Sequence, residues 1–139
     1  MSATRASGPA SRKTGNRCMP PKASVHLGHI LESAALIRGY AAQTIRERYP
    51  RELALKDAIE CRFVIIGKVL DRLRRDAPDL HARVRSTGGF AALRNLLVHR
   101  YDQVDPDVVW RCVHGNLPRL VEDAEALREP ASDSSKGAL

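Results

Sequence analysis

One short stretch of this 139-residue sequence gathers side chains able to do chemistry: Leu93-Arg94-Asn95-Leu96-Leu97-Val98-His99-Arg100-Tyr101. On a helix, Asn95 and His99 stand four apart, close enough for one side chain to orient the other. Arg94 and Tyr101, seven apart, would share a bordering face, while Leu93, Leu96 and Leu97 form the apolar one. Arginine offers a rigid fork to phosphate oxygens. Histidine, with an unperturbed pKa of about 6.5, trades protons near neutrality. With an amide and a phenol beside them, these groups could hold a phosphodiester. The same residues would also suit a satisfied polar seam between helices, and spacing leaves both readings open.

Other reactive residues are placed less suggestively. Cys18, Cys61 and Cys112 show neither CxxC nor CxxH spacing. They read as small core or interface residues rather than zinc ligands, and three cysteines are too few for a disulfide-stapled scaffold. His26 and His29 share a helix face with no second ligand pair in view, and His81 and His114 have no supporting neighbours. Gly88-Gly89 has no phosphate-loop or dinucleotide spacing and reads as a turn. Serines cluster toward the ends of the chain, where a nucleophile would be hard to hold in place. No run approaches the roughly 18 apolar residues of a membrane span, and no apolar signal segment opens the sequence.

The net charge of +7 is unevenly spread. Residues 1–23 carry Arg5, Arg12, Lys13, Arg17 and Lys22 and no acid, whereas residues 24–128 are only +3. The first segment, rich in Ser, Ala, Gly, Arg and Pro, reads as a disordered basic leader, and Met19 would serve as an alternative start. Residues 129–139 read as a frayed tail. Between them a single domain is expected, with no internal repeat.

The elements that must position the motif are helical. Leu27, Ile30, Leu31, Ala34, Ile37 and Ala41 recur at three and four, with Ser24 placed to cap the start. Leu55, Ile59, Phe63, Ile66, Leu70 and Leu73 form the next stripe, whose middle, CRFVIIG, is apolar on more than one side and is expected at a bundle centre or under a partner. Asp76-Ala77-Pro78 ends that helix, and a short turn of helix is expected to Val84. Ser86-Thr87-Gly88-Gly89 breaks the chain before a third helix, FAALRNLLVHRYDQVD. Asp105-Pro106 is a capping carboxylate followed by a first-turn proline. Val109, Val113, Leu117, Leu120, Ala124 and Leu127 mark a last helix bent by Gly115 and Pro118. The expectation is an all-α, up-and-down bundle of about four main helices.

RNLLVHRYDQVDPDVVW resembles the signature of HepT-like proteins, toxin members of the HEPN ribonuclease superfamily, whose hallmark positions fall on Arg94, Asn95, His99 and Tyr101. The similarity continues through Val109-Trp110 and Asn116-Leu117-Pro118-Arg119-Leu120, and upstream through HILESAALIRGY and AIECRFVIIGKVLDRL. It covers about residues 26–128. The resemblance implies a HEPN-like fold and a cytoplasmic, metal-independent endoribonuclease without cofactor, usually a homodimer with the motif helices near a shared cleft. Arg94 would grip the scissile phosphate, His99 would move protons at the ribose 2′-hydroxyl or the leaving oxygen, and Asn95 would position His99 or the phosphate. Arg100 would add positive charge. It further implies an MntA-like nucleotidyltransferase antitoxin, which would transfer AMP to Tyr101 or simply occlude the site. Lys68 and Val64 depart from acidic positions common in relatives, removing negative charge from the helix expected near the cleft. Two other classes stay open: a catalytically silent helical partner of a nucleotidyltransferase, and a nucleic-acid-binding module driven by the leader. The apolar CRFVIIG and Leu96-Leu97-Val98 stretches, on a small body, add a physical motive for a twofold dimer.

Overall fold

A computed structural model describes residues 21–128, and all regular structure among them is helical. Residues 1–20, with Cys18 and Met19, and residues 129–139 lie outside the described residues, and with them most of the expected 1–23 leader and the expected tail. The order is α1 (Pro21–Ala41), a 3-10 turn (Tyr49–Arg51), α2 (Leu53–Asp76), a single turn α3 (Pro78–His81), α4 (Thr87–His99), a 3-10 turn (Tyr101–Gln103), α5 (Pro106–His114) and α6 (Asn116–Arg128).

The helical stripes read from the sequence form the core. Leu27, Ile30, Ala34 and Ile37 of α1 are fully buried against Ile59, Phe63, Ile66 and Leu73 of α2 and Leu117, Leu120 and Ala124 of α6. Leu31 and Leu55, at the margins of their stripes, are only partly covered. Within CRFVIIG, Phe63, Ile66 and Gly67 are buried while Val64 and Ile65 pack partly against the core, so the bundle itself covers most of this stretch.

Polar cross-links fix the helices at their ends. His26, near the start of α1, meets Asp76 at the end of α2 at 2.8 Å, which sets these helices antiparallel. The histidine is thus engaged with a neighbouring helix. At the entrance to α4, Arg85 reaches across to α6. Its backbone N–H and Nε donate to Asp123 at 2.9 and 3.1 Å, and Nη2 donates to Asp123 at 2.9 Å and Glu122 at 2.6 Å.

Several boundaries differ from the sequence reading. Helix α1 already runs from Pro21, so Ser24 lies inside it rather than capping it. Helix α4 starts at Thr87 and takes in Gly88 and Gly89; the break is at Ser86, in the left-handed region at φ 65°. The expected single last helix is two, parted at Gly115. Pro118 disrupts neither, because it falls in the first turn of α6, where a missing amide costs little. The cap at α5 is as expected: Asp105 accepts from the Asp107 N–H at 2.9 Å.

Candidate functional site

Helix α4 presents the chemistry because only part of its circumference is buried. Phe90, Leu93 and Leu97 face the core, with Phe90 stacked on Phe63 of α2 at a ring-centroid distance of 6.3 Å. One turn further along both helices, Arg94 passes over Gly67 so closely that a Cβ at position 67 would stand 2.6 Å from the Arg94 Cβ and 2.8 Å from its Cγ. Arg94 is half-buried, and its Nε is shut off from solvent with no hydrogen-bond partner. Its Nη1 lies 3.5 Å from the Asn95 Oδ1, the outer limit of a hydrogen bond. Among the described residues no carboxylate forms an ion pair with this guanidinium.

The helix ends at His99, earlier than the sequence pattern suggested. The Arg100 N–H closes the last turn on the Leu96 carbonyl at 2.7 Å, and Arg100 itself leaves helical geometry at φ −143°. The physical reason lies just downstream. Val104 must turn in to be buried, and Asp105 takes the extended geometry of a residue before proline while it caps α5. Tyr101 therefore stands on the 3-10 turn beyond the helix, 71% exposed, and does not share a helical face with Arg94 as the spacing of seven had implied.

Asn95, His99 and Arg100 are exposed as well. Asn95 and His99 stand one turn apart on α4, but no hydrogen bond joins them among the described residues; the Asn95 oxygen turns to Arg94 instead. Arg100 Nη1 reaches the Gln103 Oε1 at 3.5 Å. Arg94 and His99, five positions apart, project about 140° from one another around the helix axis. Leu96, read as part of the apolar face, is 40% exposed and Val98 is 45% exposed. The Arg94–Tyr101 stretch is thus a surface ridge with two apolar residues among its polar groups. Neither of two shallow grooves, of about 250 and 310 Å³, includes Arg94, His99 or Tyr101.

Beside the ridge, the far half of α2 carries a charged cluster that the sequence reading did not connect with the motif. Asp71, one turn beyond Gly67, accepts from Arg74 at 2.6 Å. That bond, with the positive charges of Arg74, Arg75 and Arg94, holds its carboxyl below the usual carboxylate range. His81, on α3, is pushed below the ordinary histidine value by burial and by Arg74. Lys68 is exposed next to Gly67, whereas Val64 packs partly against the core. The close approach of Gly67 to Arg94 was also missed. A signal existed, since a glycine inside a long helix costs stability relative to alanine and calls for a packing reason.

Neither cysteine among the described residues belongs to the Arg94–Tyr101 stretch. Cys61 is exposed on α2, and burial pushes the Cys112 thiol up to about 12. No group of three or more histidine, cysteine or acidic residues able to hold a metal ion occurs among the described residues. No helix among them is long and apolar enough to cross a membrane.

Comparison with known proteins gives this ridge a context. The family model described as "Ribonuclease HepT-like" matches residues 30–127, which include the whole of α2, α4 and α5. A curated protein of Methanocaldococcus jannaschii, named "Gamma-glutamylcyclotransferase and putative RNase", is 29% identical over 105 residues, or 76% of this chain. The chain spans only 47% of that relative's length. No solved structure matches the chain. A helical bundle carrying Arg94, Asn95, His99 and Tyr101 at one helix end, matched over most of its length, belongs to the HepT-like ribonuclease family.

Proposed function

We propose that the chain is the toxin component of a toxin–antitoxin system, an endoribonuclease that cleaves RNA without a metal ion. One observation carries this reading: among the described residues no carboxylate pairs with the half-buried Arg94 guanidinium, and exposed His99 follows on the same helix, in a chain of a ribonuclease family. An arginine left uncommitted in this way is suited to a phosphate diester. An open ridge, rather than an enclosed pocket, suits a polymeric substrate.

In the proposed reaction Arg94 binds the non-bridging phosphate oxygens and stabilises the charge that grows on them. His99 takes the proton of the ribose 2′-hydroxyl, or donates one to the departing 5′-oxygen, and water serves the other transfer. The 2′-oxygen bonds to phosphorus, the bond from phosphorus to the 5′-oxygen breaks, and the products are a 2′,3′-cyclic phosphate and a 5′-hydroxyl. Asn95 orients Arg94 or the phosphate, and Arg100 adds attraction for the backbone. Dependence on the 2′-hydroxyl makes the activity specific to RNA.

Two partners complete the proposal. Leu96 and Val98, exposed beside the motif, support a homodimer in which two α4 helices flank a shared cleft. The wide angle between Arg94 and His99 on one helix favours such an arrangement, since groups from two copies could then act on one phosphate. An MntA-like nucleotidyltransferase would act as antitoxin. Tyr101 is exposed enough to accept AMP, and the added phosphate would place negative charge in the RNA path.

The test is cleavage of single-stranded RNA by purified protein in the presence of EDTA. The expected products carry 2′,3′-cyclic phosphate ends, and an RNA with a 2′-deoxy residue at the cut is left intact. RNA binding without cleavage would instead place the chain among silent binding modules. Incubation with the nucleotidyltransferase and ATP should add one AMP mass to the parent and none to Tyr101→Phe. Neutralisation without a mass increase would point to occlusion.

A further inference from the structure

We propose that Gly67 is a positioning residue for Arg94: by having no side chain, it seats the arginine stem against α2 and leaves the guanidinium free for the substrate. The inference deepens the ribonuclease reading and rests on it for its activity arm only.

The contact is unusually close. A Cβ on residue 67 would lie 2.6, 2.8 and 3.4 Å from the Cβ, Cγ and Cδ of Arg94. Carbon atoms in comfortable contact stand about 3.5–4.0 Å apart. The clashing atoms are the root of the arginine side chain, whose positions follow from the α4 backbone and the first torsion. They are not a flexible end that could swing aside. Any side chain at 67 must therefore push α4, and the root of Arg94 with it, away by about 1 Å, because no rotamer change moves the Arg94 Cβ.

What the seat accomplishes shows in the rest of the side chain. Of the guanidinium nitrogens, Nε is sealed from solvent without a hydrogen-bond partner, so packing rather than hydrogen bonding holds the edge of the group next to the stem. Among the described residues, its Nη1 makes only the long contact to Asn95. Asp71, one turn along α2, is near enough for Arg94 to influence its ionisation, yet forms its own bond with Arg74. The glycine thus restricts the arginine without spending its charge. A structural glycine that merely let two helices approach would have no bearing on where the guanidinium points.

Nuclear magnetic resonance on the full chain separates these roles. The Arg94 Nε–H signal, identified by its loss in Arg94→Lys, should exchange with water at least tenfold more slowly than that of an exposed arginine. In folded Gly67→Ala this protection should disappear. RNA cleavage by Gly67→Ala should fall by about 100-fold, the order of loss expected for a misplacement of about 1 Å. The double variant Gly67→Ala/Arg94→Ala should be no slower than Arg94→Ala alone. Retained protection and cleavage in folded Gly67→Ala overturn the proposal, as does a loss that adds in full to that of Arg94→Ala. If Gly67→Ala does not fold, the parent decides: an unprotected Arg94 Nε–H refutes the seat and a protected one upholds it. If the parent cleaves no RNA, the ribonuclease reading fails, while the exchange measurement still answers for Gly67.

Discussion

Arg85 and Arg94 stand nine residues apart around the same helix and use the same functional group in opposite ways. Arg85 turns back over α6, where Asp123 and Glu122 take up its donors and raise its affinity for its own proton. Arg94 is clamped by its stem and has no ion-pair partner among the described residues. One end of α4 is therefore tied to the bundle by charge, while the other offers charge outward. An arginine count cannot distinguish the two; the neighbours of each guanidinium do.

The largest effect that would sharpen this contrast is on cleavage. Arg94→Ala or His99→Ala should lower RNA cleavage by about 10²–10⁴-fold with helicity retained. Arg85→Ala should leave the rate per folded molecule unchanged and lower the melting temperature by a few degrees. If Arg85→Ala also abolished cleavage in folded protein, the division between the two ends would collapse.

Acid should act next, on the carboxylates already engaged by hydrogen bonds. The carboxyls of Asp123, Asp76 and Asp71 are held below their ordinary values, foremost by hydrogen bonds from Arg85, His26 and Arg74 respectively. Their stabilising contribution is full above the unfolded carboxylate pKa of about 3.9. It is lost as pH falls through the lower folded values, because the unfolded chain then binds more protons. Chemical denaturation below about pH 4 should show falling stability, with a shallower fall in Asp123→Asn. Equal slopes in parent and variant would remove Asp123 from the account.

A smaller effect concerns assembly. Leu96→Lys or Val98→Lys should halve the mass seen at micromolar concentration without loss of helix, because these side chains are already half-exposed in the single chain. A parent that is monomeric under those conditions would refute the dimer outright. Least of all in energy, a thiol reagent at pH 8 should label Cys61 and spare Cys112, whose thiol is buried.

Much of the core was legible because apolar spacing at three and four reports a buried helix face directly. Val109, Val113, Leu117, Leu120, Ala124 and Leu127 are all buried, although two helices rather than one carry them. The Asp105 cap was also readable, since its signal is local. Tyr101 was misplaced because its sequence is compatible with helix; the tertiary demand to bury Val104 and start α5 ends α4 at His99. Leu96 was grouped with Leu93 and Leu97 on one apolar face, a pattern that cannot say which leucine another helix covers. Gly67 and Asp71 escaped notice for a related reason. Their connection to Arg94 runs between helices, and spacing along one helix carries no record of what crosses it.

The capped start of α5 has a consequence for motion. The turn bearing Tyr101 is moored upstream by the Arg100–Leu96 hydrogen bond and downstream by buried Val104 and the Asp105 cap. So short a span has little slack, and an exposed tyrosine there samples rotamers rather than wandering as a loop. Removing the Asp105 side chain, at a cost of about 1 kcal/mol, would loosen the mooring without touching the motif. Local opening would then make the Asp107 amide hydrogen exchange faster, and Tyr101 would trade a fixed address for a range.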